Sequence, residues 1–146
     1  MKRPMIDSLD KKLITLLEQD ARQSIERLAN QLGVSPSTIS RRIEKLVKNN
    51  VIRIMARPEP TKINLPLSVI VAFDIAHDKL NSVTKILSSR QEVRWLAVTS
   101  GRFDIFALMW FPSTEELFHF MQDEVGKLEG VRNTETFISL QVVKGL

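Results

Sequence analysis

The sequence predicts an α+β chain in two parts, an all-helical N-terminal part followed by one that alternates strands and helices. Three observations carry that prediction. Apolar residues recur at helical spacing in three short runs between Leu9 and Val47, each preceded by a side chain able to cap a helix. Pro58 and Pro60, on either side of Glu59, stop regular structure where the charge balance also changes. Beyond them, β-branched and aromatic runs alternate with helical ones in the order β-α-β-β-α-β.

Asp7 caps the first helix, whose buried stripe is Leu9, Leu13, Leu16 and Leu17. Ser24 caps the second, its hydroxyl accepting an orphan backbone N–H of the first turn. Leu28, Ala29 and Leu32 give that helix its apolar side, and Gly33 ends it, because glycine tolerates a left-handed cap. Ser35 caps the third helix, with Pro36 at its first position, where a missing N–H costs nothing. At about 100° per residue, Ile39, Ile43, Leu46 and Val47 share one face of it. Ser37, Arg41, Lys45 and Lys48 fall on the opposite side, with Thr38 and Arg42 on a flank. Two helices around a glycine-containing turn make a helix-turn-helix, whose second helix lies in the DNA major groove. After Asn49, the run 51–57 reads as a strand with exposed arginines, a wing or a linker strand. The N-terminal part is therefore expected to be a three-helix winged helix-turn-helix domain.

Charge sharpens the partner. Residues 1–60 hold 12 Lys and Arg against 7 Asp and Glu, a surplus of five, whereas residues 61–146 hold 9 against 10. The net charge of +4 thus comes from the first part alone. Between Ser35 and Arg57 stand six cations (Arg41, Arg42, Lys45, Lys48, Arg53, Arg57) and one anion, Glu44. Such an excess suits a polyanion and predicts salt-dependent binding. A solvated basic face on an ordinary amphipathic helix is the plainer account, and an acidic membrane surface a third. Caps, turn and charge agree on DNA, and the cationic face carries no large apolar residue. The residues assigned to DNA are Ser35, Pro36, Ser37, Thr38 and Ser40, then Arg41, Arg42, Lys45, Lys48 and Arg53.

In the second part, 67–75 reads as a strand and 78–89 as a helix with Leu80, Val83, Ile86 and Leu87 on one side. Two strands, 93–99 and 103–111, are joined by Ser100, Gly101 and Arg102 at hairpin spacing. Ser113 caps a further helix with Leu117, Phe118, Met121 and Val125 spaced for burial, and Gly130 precedes a last strand over 131–143. This order is the ferredoxin-like βαββαβ arrangement, with helices on one sheet face and an open, partly apolar face on the other. A face of that sort ordinarily packs against a second copy, so a homodimer is expected. Trp95 and Trp110, on adjacent strands, are assigned to packing.

No apolar run approaches the about 20 residues of a transmembrane helix, and Met1 to Asp7 lack the apolar core of a signal peptide. The chain has no cysteine, which excludes disulfides and thiolate metal sites and permits a reducing compartment. No membrane partner, cofactor, metal or catalytic set is expected, and a cytoplasmic, nucleoid-associated location is.

The landmarks also fit a known pattern. Leu9-Asp10 before Leu16-Leu17, Asp20-Ala21-Arg22, Leu28-Ala29, Ser35-Pro36 with Thr38, Arg42-Ile43 with Leu46, and Val51-Ile52 occur in that order. Val98, Gly101 and Asp104 follow, then Gly130-Val131 with Thr134 and Thr136. Together they resemble the Lrp/AsnC family of bacterial and archaeal transcriptional regulators over essentially the whole chain. One departure is Asn49-Asn50 before Val51, where the family commonly has glycine; asparagine also tolerates positive φ. The resemblance implies a helix-turn-helix domain over 1–50, a strand linker over 51–64 and an effector-binding, oligomerising domain over 65–146. It further implies a dimer-based, often octameric regulator of a pseudo-palindromic double-stranded operator. An amino acid or related small molecule would bind between dimers at the loop holding Thr99, Ser100, Gly101, Arg102 and Asp104. There a glycine admits backbone N–H groups to a carboxylate, and an aspartate pairs with an α-ammonium. A plain hairpin turn explains Gly101 equally well.

Two other classes remain open. Tetrapyrrole (siroheme) decarboxylases share the architecture, but their pockets are rich in His, Arg and Tyr. This chain has no Tyr and only His77 and His119. Asp74 with His77 has the spacing of a metal pair but no evident further ligand. The third class is a ligand-binding assembly module that no longer reads DNA, against which the intact basic face argues.

Overall fold

A capped helix begins as soon as the chain supplies an oxygen for its first N–H groups, and all three N-terminal helices do so where a cap was expected. The computed structural model describes residues 6–143; the stretches 1–5 and 144–146, parts of the N-terminal and last-domain expectations, lie outside it. Asp7 Oδ1 accepts the Asp10 N–H at 2.8 Å while Asp10 Oδ2 accepts the Asp7 N–H at 3.2 Å, a reciprocal capping box that opens helix α1 (Ser8–Gln19). Ser24 caps α2 (Ile25–Leu32), which ends on Gly33 at φ +67°. Ser35 caps α3 (Pro36–Lys48), with Pro36 in the first turn. Leu13, Leu17, Leu28, Ala29, Ile39 and Leu46 make the buried core of the three, with Leu16 and Ile43 packed at its margin. Asn50 adopts φ +53°, the conformation for which glycine is the usual choice.

The expected strand over 51–57 does not form. Val51 and Ile52 turn onto the helical core instead, and residues 52–57 join no ladder, with Ile54 and Met55 exposed. A strand exists only by pairing, and this unit has no other strand among its described residues to pair with. The wing of the expected fold is thus absent as a strand.

The chain divides into two compact units, Met1–Arg57 and Pro58–Leu146. The second opens with a single 3-10 turn, Pro60–Ile63, and builds β1 (Leu67–Ile75), α4 (Leu80–Ser88, entered through a 3-10 turn at His77–Lys79), β2 (Val93–Val98), β3 (Ile105–Phe111), α5 (Thr114–His119) and β4 (Val131–Ile138). The strands form one antiparallel sheet in the order β2-β3-β1-β4, the ferredoxin-like topology. Alternation sends Val69, Val71, Phe73 and Ile75 of β1 and Ile105, Ala107, Met109 and Phe111 of β3 into one core beneath the helices.

Two helical faces differ from expectation. Past His119 the chain continues as a π-helix, Phe120–Val125, closed by the Gly126 N–H on the Met121 carbonyl at 2.9 Å. Phe120, three residues after the buried Leu117, enters the core edge-on to Phe111 while Phe118 is exposed, and the wider turn then brings in Val125 five residues on. On α4, Val83 and Leu87 are buried but Ile86 is not. The last strand stops at Ile138 rather than reaching residue 143.

Candidate nucleic-acid interface and effector loop

The outward side of α3 is built by its cap and its core together. Ser35 Oγ accepts the Thr38 N–H and lies 2.8 Å from Thr38 Oγ1 and 3.0 Å from Ser37 Oγ, so three hydroxyls cluster at the helix start beside Pro36. Burial of Ile39 and Leu46 then turns Ser37, Arg41, Lys45 and Lys48 to solvent; Ser40 sits part-buried between the two faces. Arg53 is likewise exposed on the segment that follows. Among the described residues Arg41, Lys45, Lys48 and Arg53 enter no ion pair.

Arg42 is placed differently from the other expected cations. Its Nη1 donates to Asp7 Oδ2 and to Asp10 Oδ1, both at 2.7 Å, and its Nε is buried without a partner. Hydrogen bonds to Asp10, then to Asp7, hold the guanidinium above its ordinary pKa, so it stays charged. The Asp10 backbone N–H, then Arg42, hold the Asp7 carboxyl below the usual aspartate value. The signal was present in the spacing: Arg42 is three residues after Ile39 and four before Leu46, so it lies beside the apolar stripe rather than opposite it.

In the second unit the loop 99–104 is tied down at several points. The Thr99 N–H reaches the Asp104 carbonyl and Thr99 Oγ1 the Phe103 carbonyl, each at 2.8 Å. The Asp104 N–H bonds to the Phe73 carbonyl, and Asp104 Oδ2 accepts the Ile75 N–H at 2.8 Å, satisfying the end of β1 where β3 no longer runs alongside. Phe103, expected to begin the strand, instead turns inward and is buried, and β3 starts at Ile105. Gly101 sits at φ +127°, which an L side chain rarely adopts. Ser100, Gly101 and Arg102 are exposed; Arg102 pairs with Glu135 at 2.8 Å and lies over the Phe103 ring.

Elsewhere, Asp74 pairs with Arg132 at 3.5 Å while His77 is exposed, and His119 lies between Glu115 and Asp123 on an exposed helix face. No three metal-ligating side chains converge among the described residues. The open sheet face carries Ile70, Trp95 and Phe137, each more than two-fifths exposed, around the buried Ala72. Trp110, on the same face, is buried with the Arg94 guanidinium 4.8 Å above its ring. A groove of about 380 Å³ that the sequence did not suggest lies at the sheet end opposite Gly101, between Glu92, Trp110, Pro112, Glu116 and Phe120. No helix among the described residues is long and apolar enough to cross a membrane.

A helix-turn-helix with a bare cationic helix, followed by a separate ferredoxin-like unit, defines a class: a DNA-binding regulator with a second domain for a signal. Comparison with known proteins makes the class specific. Residues 6–47 match the AsnC-type helix-turn-helix domain, and residues 68–145 match the Lrp/AsnC ligand binding domain. The chain belongs to the Lrp/AsnC family of transcriptional regulators. It is similar to an uncharacterized HTH-type transcriptional regulator of Pyrococcus furiosus, with 36% identity over 96% of this chain and 95% of that protein. The regulator LrpA of Pyrococcus horikoshii is 30% identical over 96% of this chain and all of its own length. AsnC of E. coli superposes with a TM-score of 0.85 at 27% identity, covering 97% of each chain. A Neisseria meningitidis regulator solved as a complex with L-Met shares the fold, at a TM-score of 0.87 and 22% identity over 97% of this chain and 94% of that one.

Proposed function

We propose that the chain acts as a homodimer on a pseudo-palindromic operator, with an amino acid or related small molecule modulating it from the 99–104 loop. The observation that carries the DNA half is the row Ser37, Arg41, Lys45 and Lys48, whose cations face solvent without a competing carboxylate. Arg41 and Lys45 then meet base edges or phosphates, and Lys48 with Arg53 holds the backbone. Ser35, Pro36, Thr38 and Ser40 set the approach of the helix start. Two α3 helices related by a two-fold axis call for half-sites about 34 Å apart, or a multiple of that.

Dimerisation is assigned to the open sheet face around Ile70, Trp95 and Phe137, because exposed aromatic area of that kind is stabilised by a matching copy. In the effector loop, one Asp104 oxygen holds Ile75, which leaves Oδ1 for an ammonium, while the backbone at Ser100 and Gly101 offers N–H groups to a carboxylate. The L-methionine complex of the Neisseria fold neighbour supports an amino acid as the class of ligand. We further infer a regulator rather than an enzyme, working in the cytoplasm on the nucleoid, with dimers assembling to an octamer as the family resemblance implies.

The test is a gel shift on DNA upstream of the chain's own gene, across a salt series, with and without an amino-acid mixture. Selective binding that weakens steeply with salt and shifts with the mixture is the expected outcome. Selective binding indifferent to the mixture would remove the effector loop from the proposal and leave the DNA half standing. Absence of selective binding would overturn the DNA assignment for this site.

A further inference from the structure

Asp7 and Asp10, at the start of α1, are both held by the recognition helix. Asp10 is almost wholly buried, its side chain 5% exposed, and a buried carboxylate is tolerated only with a compensating donor. Arg42 supplies it through Nη1, which also bridges to Asp7, so α3 is tied to the capping box that starts α1. We propose that Arg42 is a positioning residue: the Asp7–Arg42–Asp10 bridge withdraws it from DNA phosphates and fixes the rotation of α3, so that Ser37, Arg41 and Lys45 meet the groove in register. The proposal rests on the DNA-binding reading of α3.

Geometry supports it on three counts. Arg42 is only a quarter exposed, on the margin of the apolar stripe, whereas Arg41 next to it is exposed. Both acidic contacts converge on one nitrogen, so the bridge fixes a point at the middle of α3 against the first turn of α1. Its Nε makes no bond, so the planar fork of arginine is not what the site uses. A lysine, as a point charge, therefore suffices there.

The consequence runs against simple electrostatics. Removing an acid near a polyanion ordinarily strengthens binding, yet Asp10→Asn and Asp7→Asn are expected to weaken specific binding. The loss for Asp10→Asn is about tenfold, the size of one misplaced base contact. Binding to a scrambled duplex should hold or rise. Arg42→Met should lower the specific-to-scrambled ratio while leaving the slope of log affinity against log salt unchanged; a phosphate contact would cost that slope about 0.9. Arg42→Lys should restore the ratio.

The full-length chain is used, with a duplex it selects from a random pool and a scrambled duplex of the same composition. Circular dichroism at the assay temperature verifies that each variant is folded; where Asp10→Asn is not, the half-exposed Asp7→Asn carries the comparison. An unchanged ratio in folded Arg42→Met and Asp7→Asn would overturn the proposal. So would a salt slope reduced by about one unit, which would return Arg42 to the phosphates. A wild-type chain that selects no sequence would instead overturn the DNA reading beneath it.

Discussion

The two units handle charge in opposite ways. In the second, five of the eight described Lys and Arg are answered by carboxylates: Lys79 by Glu129, Arg90 by Glu124, Arg102 by Glu135, Lys127 by Asp123 and Arg132 by Asp74. In the first, 12 Lys and Arg stand against 6 Asp and Glu, and among its described residues Arg42 is the one cation in an ion pair. Surface pairs contribute little stability, so their absence around α3 costs the fold little and leaves the cations available to phosphate. What holds the two units also differs. Unit one rests on six buried apolar side chains and three side-chain caps, whereas unit two rests on a sheet core with Phe73 and Phe111 at its centre.

The largest way to break that comparison is Phe73→Ala. Phe73 is wholly buried in β1, and such truncations cost about 3–5 kcal/mol. Thermal unfolding should show the sheet unit melting earlier while the helical unit keeps its own transition. A single transition displaced as a whole would mean that the units do not stabilise themselves separately. Gly130→Ala should act on the same unit more weakly. At φ +99° its Cβ would stand 2.3 Å from Lys79 Cβ, and strained backbone of this kind costs about 1–3 kcal/mol. Melting of the sheet unit within the error of wild type would show that the Lys79 turn gives way freely.

Arg41→Ala sharpens the other side of the contrast. Arg41 is exposed and unpaired, so melting should not move, while specific DNA affinity should fall by about 1–3 kcal/mol. A shift in melting without loss of affinity would reverse the assignment of its face. Removing a paired cation in unit two away from the loop, such as Lys127, should leave DNA affinity where it is.

Much of this contrast is written locally, which is why it is legible without coordinates. Asp7, Ser24, Ser35 and Ser113 cap helices because a capping oxygen needs only its own next three residues. The strand order follows from the alternation of element types, and the cationic row of α3 from its spacing. What periodicity did not reveal depends on partners elsewhere. The run 51–57 has the residues of a strand but no ladder to join. Phe120 and Val125 are both buried although five residues apart because a π-turn adds a residue to the helix, a spacing that no 3.6-residue count anticipates. At the proposed sites, Arg42 and Asp104 are identified by type, but their partners, Asp10 32 residues away and Ile75 29 residues away, are supplied by the fold.

The smallest expected effect concerns acid, and it separates the units by chemistry rather than by packing. Asp7 is held below the usual aspartate pKa, first by the Asp10 N–H and then by Arg42. A carboxyl whose folded pKa is depressed stabilises the fold fully above its unfolded value, and that contribution disappears as pH falls through the folded value. The helical unit should therefore lose stability progressively from the ordinary aspartate range downward, and Asp7→Asn should flatten that loss while lowering stability at neutral pH. Lys79 has the opposite sign: its hydrogen bond to Glu129 raises its pKa, so its contribution is present at neutral pH and lost only in strong base. Acid titration of melting, followed separately for each unit, checks the contrast. An acid loss in the helical unit that is the same in wild type and Asp7→Asn would assign it to other carboxylates, and would show that the bridge to Arg42 holds α3 without stabilising the unit.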